Sequence, residues 1–310
     1  MRWLGRFGTP AASSSPPSSL LVSVRTKMGL PARRKARGHL TGEHVSVHKG
    51  RSMEFDDLRH YVRGDDVKDV DWKASARTGS ILLKRYVAVR KHHLVAVVDT
   101  GRSMAARAAG GEPKRDLAVM AAGVLGSIAV QHGDLVGLVG GDAGGIIRAP
   151  LRESNVHLEL LLRRVHTRID LGGAPSDLAA VLRAVHRSTN RQLILLVVTD
   201  DAPFSAELEE LVRRLRVQHE ILWLTIEDTV LTDLELASRD LVDVVGGTHL
   251  PAALREDGAL LADYAANRRA RADHRTARLG QLRVAQAAIG READVVPAVL
   301  GLLDRTRRAN

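Results

Sequence analysis

Four apolar runs of strand length recur through the middle of the chain: HLVAVVD (93–99), DLVGLVG (134–140), QLILLVVTD (192–200) and EILWLTIED (220–228). Helix-length stretches separate them, and this alternation constrains the fold more than any other feature. A strand that is apolar at nearly every position must be covered on both faces. Such strands belong to parallel sheets whose crossover helices supply the cover. The intervening stretches carry the matching period. Leu178, Val181, Leu182 and Val185 are spaced as one face of a helix, and Leu208, Leu211, Val212 and Leu215 repeat that stripe. DLAVMAAGVLGSIAVQ (116–131) and VHLELLLRRVH (156–166) read as two further helices. The expected fold is α/β, a doubly wound and mostly parallel sheet over residues 92–250. Aromatics make up only 3% of the 310 residues, so Val, Leu, Ile and Ala must fill its core.

Around this body, residues 1–38, with AASSSPPSS and PARRKAR, read as a disordered basic arm. Residues 39–91 form a small charged subdomain in which ILLKRYVAV is a strand after the Thr78-Gly79 turn, and residues 251–310 read as a helical C-terminal region. The net charge of +10 is not evenly spread. Residues 1–52 hold ten of the 46 Lys and Arg but one of the 36 Asp and Glu, leaving 36 bases against 35 acids in the rest. A basic arm attracts phosphate and anionic lipid, so nucleic-acid or anionic-surface binding through residues 1–52 is the alternative function. The chain has no cysteine, which excludes disulfides, thiolate zinc sites and a cysteine nucleophile. No run reaches the ~20 apolar residues of a membrane span, and no secretory signal is legible, so a cytoplasmic location is expected.

The first strand runs into Asp99-Thr100-Gly101-Arg102-Ser103. Asp-Thr-Gly opens the active loop of an aspartic protease, but that chemistry needs two such loops sharing one proton, on an all-β fold. Only one loop exists here, in an alternating chain. A metal site suits the context better. Open α/β sheets bind ligands outside the carboxyl ends of their strands, and both Asp99 and Asp200 arrive at that edge. Mg²⁺ prefers an octahedron of oxygens with few protein ligands. The first loop offers Asp99 and Ser103, GGAPSDL offers Ser176 or Asp177, and the third strand end offers Asp200 or Asp201. Ser176, just ahead of an amphipathic run, is also expected to be the helix N-cap. Gly144-Gly145 and Gly172-Gly173 read as turns. No zincin, P-loop or dinucleotide-binding motif occurs, and His44 and His48, four apart in a basic segment, make a poor zinc pair.

HLVAVVDTGRSM, GGAPSDLAAVL and LILLVVTDDAP together resemble the three loops of a von Willebrand factor type A domain. The metal-ion-dependent adhesion site of that domain reads Asp-x-Ser-x-Ser, then Thr, then Asp. The block EFDDLRHYVRGDDVKDVDWKASARTG (54–79) resembles the signature of the bacterial domain-of-unknown-function family fifty-eight, in which a charged segment precedes a type A domain. Glu54, Phe55, Leu58, Arg59, Tyr61, Gly64, Asp65, Asp66, Asp71, Trp72, Ala76 and Arg77 fall in place. The match covers about residues 40–250.

This resemblance implies metal ligation by Asp99, Ser103, Ser176 (for Thr) and Asp200, with Mg²⁺ as the ion and Mn²⁺ as its substitute. Gly101 stands where the motif has its first Ser, which removes one hydroxyl, and the Ser176 loop is one residue longer. The implied activity is that of a non-enzymatic protein-interaction module, with an acidic residue of the partner completing the metal's coordination. The implied partner is a MoxR-type AAA+ ATPase, in complex assembly or metal insertion. The block 54–79 itself has no catalytic spacing. Its alternating charges suggest an internal salt-bridge network, with Gly64-Asp65-Asp66 as a tight turn. A docking face made by Tyr61, Asp65, Asp66, Asp71, Trp72 and Arg77 is the second reading, behind the structural one.

Overall fold

The structure, a computed structural model, describes residues 3–5, 19–39, 53–88, 91–188, 191–230, 241–251 and 257–309. The chain divides into a small unit, Gly42–Lys91, and a large unit that joins Met1–Thr41 to His92–Asn310. The N-terminal arm and the C-terminal region belong to the large unit.

In chain order the large unit begins with a short strand, β1 (Trp3–Gly5), and a helix, α1 (Leu20–His39), kinked at Gly29. The expectation of disorder over residues 1–38 does not hold for α1. Leu20, Leu21, Val24 and Met28 are buried in the main core. The start of α1 is satisfied from far away, because Glu159 accepts from the N–H groups of Leu20 (3.1 Å) and Leu21 (2.7 Å) and from the Ser19 hydroxyl (3.0 Å).

The small unit pairs β2 (Met53–His60) with β3 (Leu82–Ala88), antiparallel, with an irregularity between Phe55 and Asp57. Between them lie a turn of 3₁₀ helix (Val67–Asp69) and α2 (Trp72–Thr78). Asp66 caps the 3₁₀ turn and Asp71 caps α2. Gly79 closes α2 in the left-handed conformation that favours glycine. The Ser75 hydroxyl donates to Asp71 O (2.7 Å) and accepts from Leu82 N–H (2.8 Å), tying helix to strand.

The large unit continues with β4 (His93–Asp99), α3 (Lys114–Gln131), β5 (Leu135–Asp142), β6 (Gly145–Arg152), α4 (Asn155–Arg168), α5 (Leu178–His186), β7 (Ile194–Asp200), α6 (Ala206–Gln218) and β8 (Glu220–Ile226). Two short strands, β9 (Leu241–Asp243) and β10 (His249–Leu250), pair with each other, and β9 also pairs with β1. The chain ends in α7 (Gly258–Gln281), β11 (Ala285–Ile289) and α8 (Glu292–Ala309). Six strands form one sheet in the order β11-β8-β7-β4-β5-β6, parallel except for the edge strand β6. The region after 250 is mainly helical, as expected, and a five-residue strand, β11, extends this sheet.

Burial follows from the uninterrupted apolar strands. Leu94, Ala96 and Val98 of β4 enter one core with residues of α1, α3, α4 and α8, while Val95 and Val97 enter a second core with α5 and α6. The chain grows from β4 toward β6, then returns to the other side of β4 to lay down β7. That reversal is a topological switch point, and it lies between the strands that end at Asp99 and Asp200.

Candidate functional site

Asp99 and Asp200 are each 1% exposed, at the carboxyl ends of neighbouring parallel strands. The Gly101 N–H donates to Asp99 Oδ1 at 2.9 Å, and Thr199 Oγ1 lies 3.5 Å from Asp99 Oδ2. The Ala202 N–H donates to Asp200 Oδ1 at 3.1 Å.

The loop after β4 packs against the loop before α5. The Arg102 N–H donates to Ala174 O, and Ala143 N–H, just past β5, donates to Pro175 O, both at 2.9 Å. These bonds bring the Ser103 and Ser176 hydroxyls to 2.7 Å from one another. Asp99, Ser176, Thr199 and Asp200 line one cleft of about 190 Å³. Phe204 and Trp223 form its apolar wall, edge to face at 5.5 Å. All four residues expected at a metal are thus gathered at one place.

The departure at position 101 has a steric cause. A Cβ on Gly101 would lie 2.3 Å from Ser176 Oγ and 2.4 Å from Ser176 Cα and N. The backbone of the Ser176 loop occupies the space a serine at 101 would need, so glycine is what permits the close approach.

The donor set suits a small hard cation. Among the described residues no three carboxylates, imidazoles or thiols converge on one point. Two carboxylates with two hydroxyls match the few-ligand, water-retaining habit of Mg²⁺. Neighbouring oxygens of a Mg²⁺ octahedron are about 2.9 Å apart, close to the separation of the two serine hydroxyls.

Nearby cations are engaged by other carboxylates. Arg168 pairs with Asp142 (2.6 Å), which also accepts from Thr100 Oγ1 (3.1 Å), and Arg275 pairs with Asp201 (2.7 Å). Lys114, 0% exposed, pairs with Asp228, and its Nζ lies 3.4 Å from Ser103 O beneath the first loop. Sequence reasoning missed Lys114. A lone Lys at a helix start carries no motif, and only the fold reveals that it is buried. One expectation is corrected here. Asp177, not Ser176, caps α5 by accepting from Ala180 N–H at 2.8 Å. The helix starts one residue later than expected, at Leu178, and the Ser176 hydroxyl is turned to Ser103.

The six residues offered as a docking face divide in two. Asp65 accepts a forked pair of bonds from Arg59 (2.7 Å each) and one from Val62 N–H (2.8 Å), while Asp66 and Asp71 are the caps described above. Those three acids build the unit. Tyr61, Trp72 and Arg77 are exposed, Trp72 by 64%. In the basic arm, Arg25 bonds Asn155 Oδ1 and Lys27 pairs with Glu292, both at 2.6 Å, so two of its cations are used within the fold. His44 and His48 lie outside the described residues. Among the described residues no helix is long and apolar enough to cross a membrane.

Two solved structures are similar over part of the chain. One is an aerotolerance-related membrane protein from Bacteroides fragilis with multiple mutations to serines: 14% identity, 44% of this chain, 68% of that chain, TM-score 0.33. The other is a von Willebrand factor type A protein from Catenulispora acidiphila: 13% identity, 45% of this chain, 34% of that chain, TM-score 0.30. Uncharacterised proteins of Mycobacterium bovis and Mycobacterium tuberculosis are 30% identical over 262 residues, covering 83% of this chain and 79% of theirs. The family model described as "Protein of unknown function DUF58" matches residues 57–277, from within β2 to within α7. The chain belongs to the DUF58 family.

Proposed function

We propose that this chain is a non-enzymatic protein-interaction module that docks a partner at the carboxyl edge of its sheet in a divalent-metal-dependent way. One observation carries the reading. Two carboxylates and two hydroxyls from three loops meet at the switch point, with the hydroxyls 2.7 Å apart. Asp99, Ser103, Ser176 and Asp200 would hold Mg²⁺ or Mn²⁺. The bound ion would supply a Lewis-acidic anchor for a partner's carboxylate. Gly101 N–H fixes the orientation of the Asp99 carboxylate, and the contacts of the Ser176 loop with residues 102 and 143 hold the hydroxyls in place. Phe204 and Trp223 offer an apolar wall beside the polar donors.

The family resemblance points to a MoxR-type AAA+ ATPase as the partner, in the cytoplasm, in complex assembly or metal insertion. Co-purification with tagged chain, in Mg²⁺ or in EDTA and with or without ATP, tests this. Recovery of the ATPase in Mg²⁺, with loss in EDTA and in an Asp200→Asn variant, is the expected result. Equal recovery in EDTA would overturn the metal dependence, and absence of the ATPase under every nucleotide condition would overturn the partner.

A further inference from the structure

At the opposite edge of the same sheet, where its strands begin, lies a second and larger hollow of about 490 Å³. That volume is within the range of small-molecule sites, roughly 300–1,000 Å³. The end of α6, the start of β8, the turn from α7 into β11, and α8 enclose it. Arg216, Arg283 and Arg305 reach it from three different elements. None of the three forms an ion pair among the described residues, although Arg305 donates to Gln286 O at 2.8 Å. Among the described residues Glu220 is the one carboxylate on the wall, and Val217, Ile221 and Val284 supply apolar surface.

α6, α7 and α8 end beside this hollow, and an arginine near each C-terminus offsets the helix dipole. That role leaves two observations unexplained. The first is His219, which lines the hollow, is 3% exposed, and has Nδ1 buried with no hydrogen-bond partner among the described residues. A buried polar atom left unpaired costs free energy. The second is Arg283, the only non-glycine with positive φ (52°) among the described residues. It stands just past α7, where glycine is preferred because it meets the left-handed conformation without strain. Offsetting a dipole does not require an arginine at that strained position, whereas a ligand contact would account for keeping one there.

We propose that this hollow binds a small phosphorylated molecule. The guanidinium groups of Arg216, Arg283 and Arg305 would take the phosphate oxygens in the forked geometry that arginine offers to phosphate. The apolar wall would take the remainder of the molecule. The site is separate from the metal-dependent edge and does not depend on that reading.

The decisive variant is Arg283→Gly in the full chain, because it deletes the guanidinium and relieves the left-handed strain together. Calorimetric titration with pyrophosphate and with ADP should show binding to the wild type. In Arg283→Gly the Kd for pyrophosphate should weaken at least ~10-fold, as expected for loss of a charge-assisted fork. The same variant should melt about 2 °C higher, since the glycine fits the backbone there. Arg216→Ala, which leaves the backbone untouched, should weaken pyrophosphate in the same direction. No binding of either probe to the wild type at millimolar concentration would overturn the proposal. So would unchanged affinity in both variants, which would put the anion elsewhere.

Discussion

The small unit and the carboxyl edge of the large sheet are both rich in polar groups, yet they are built in opposite ways. In the small unit, partners are close in sequence and face water: Arg59 and Asp65, six residues apart, pair with side chains 47% and 21% exposed. At the sheet edge, partners are distant in sequence and sheltered. Lys114 and Asp228 are 114 residues apart, and Ser103 and Ser176 are 73 apart. Local construction needs particular residues at fixed short spacings, so it leaves a recognisable motif. Construction by topology leaves almost none. The most distinctive block of the sequence therefore identifies the family while mostly recording how a turn and two caps are made.

This contrast ranks the effects of substitution. Lys114→Ala should be the most damaging, because it leaves the Asp228 carboxylate buried and deprived of that ammonium. A loss of about 3–5 kcal/mol is expected by denaturant unfolding, the usual cost of removing one partner of a buried pair. A loss near zero would mean that the pair does not hold the edge together. Gly101→Ser restores the serine of the type A motif, and by motif logic should improve metal binding. The geometry predicts the reverse. The new Cβ meets the Ser176 backbone, so overpacking should cost about 1–3 kcal/mol and displace the loop, weakening Mg²⁺. Tighter Mg²⁺ binding in that variant would sink the steric account. Asp71→Ala removes the cap of an exposed helix and a long, solvent-facing pair with Lys84 (3.7 Å), and Arg59→Ala removes a solvent-facing pair. Both should move the unfolding midpoint less than either change at the sheet edge.

Acidification separates the two regions as well. In the small unit, the Arg59 side chain and then the Val62 N–H hold Asp65 below the ordinary carboxylate range, and Ala74 N–H does the same for Asp71. A lowered acid contributes stability above its unfolded value of 3.8 and loses it as pH falls through the folded value. In the large unit, burial holds His93, His166 and His219 below the usual imidazole value of 6.5. Folding then favours their neutral form, so their contribution is lost as pH drops below 6.5. His92 acts oppositely. Asp134 raises it, and its contribution is present below 6.5 and fades as pH rises through the folded value. Unfolding followed through buried Trp223 should thus weaken in mild acid, and His219→Gln should flatten that slope. Unfolding followed through Trp72 should hold until the carboxylates titrate. Coincident acid profiles for the two tryptophans would contradict the distinction.

Legibility in the sequence follows the same division. β4, β5, β7 and β8 were readable because their apolar runs are unbroken, and the acids that end β4 and β7 pointed to the candidate site. The two edge strands were not. β6 alternates in burial and contains Pro150, and β11 is the Ala-rich AQAAI, which carries little strand propensity. Helix α1 escaped notice because it follows a Ser/Pro tract and because Glu159, 139 residues from Leu20, satisfies its first N–H groups. Asp99, Ser103, Ser176 and Asp200 were legible through the family's loop pattern. The sequence presents Gly101 as a missing ligand, whereas the fold presents it as the space into which the Ser176 loop fits.

The most direct test of the central claim is calorimetric titration of Mg²⁺ and Mn²⁺ into the full chain and into Asp99→Ala and Asp200→Asn. Binding of one ion per chain, lost in both variants while their unfolding remains cooperative, is the predicted result. No heat with the wild type, or heat that persists in both variants, would contradict a metal-dependent site at this edge.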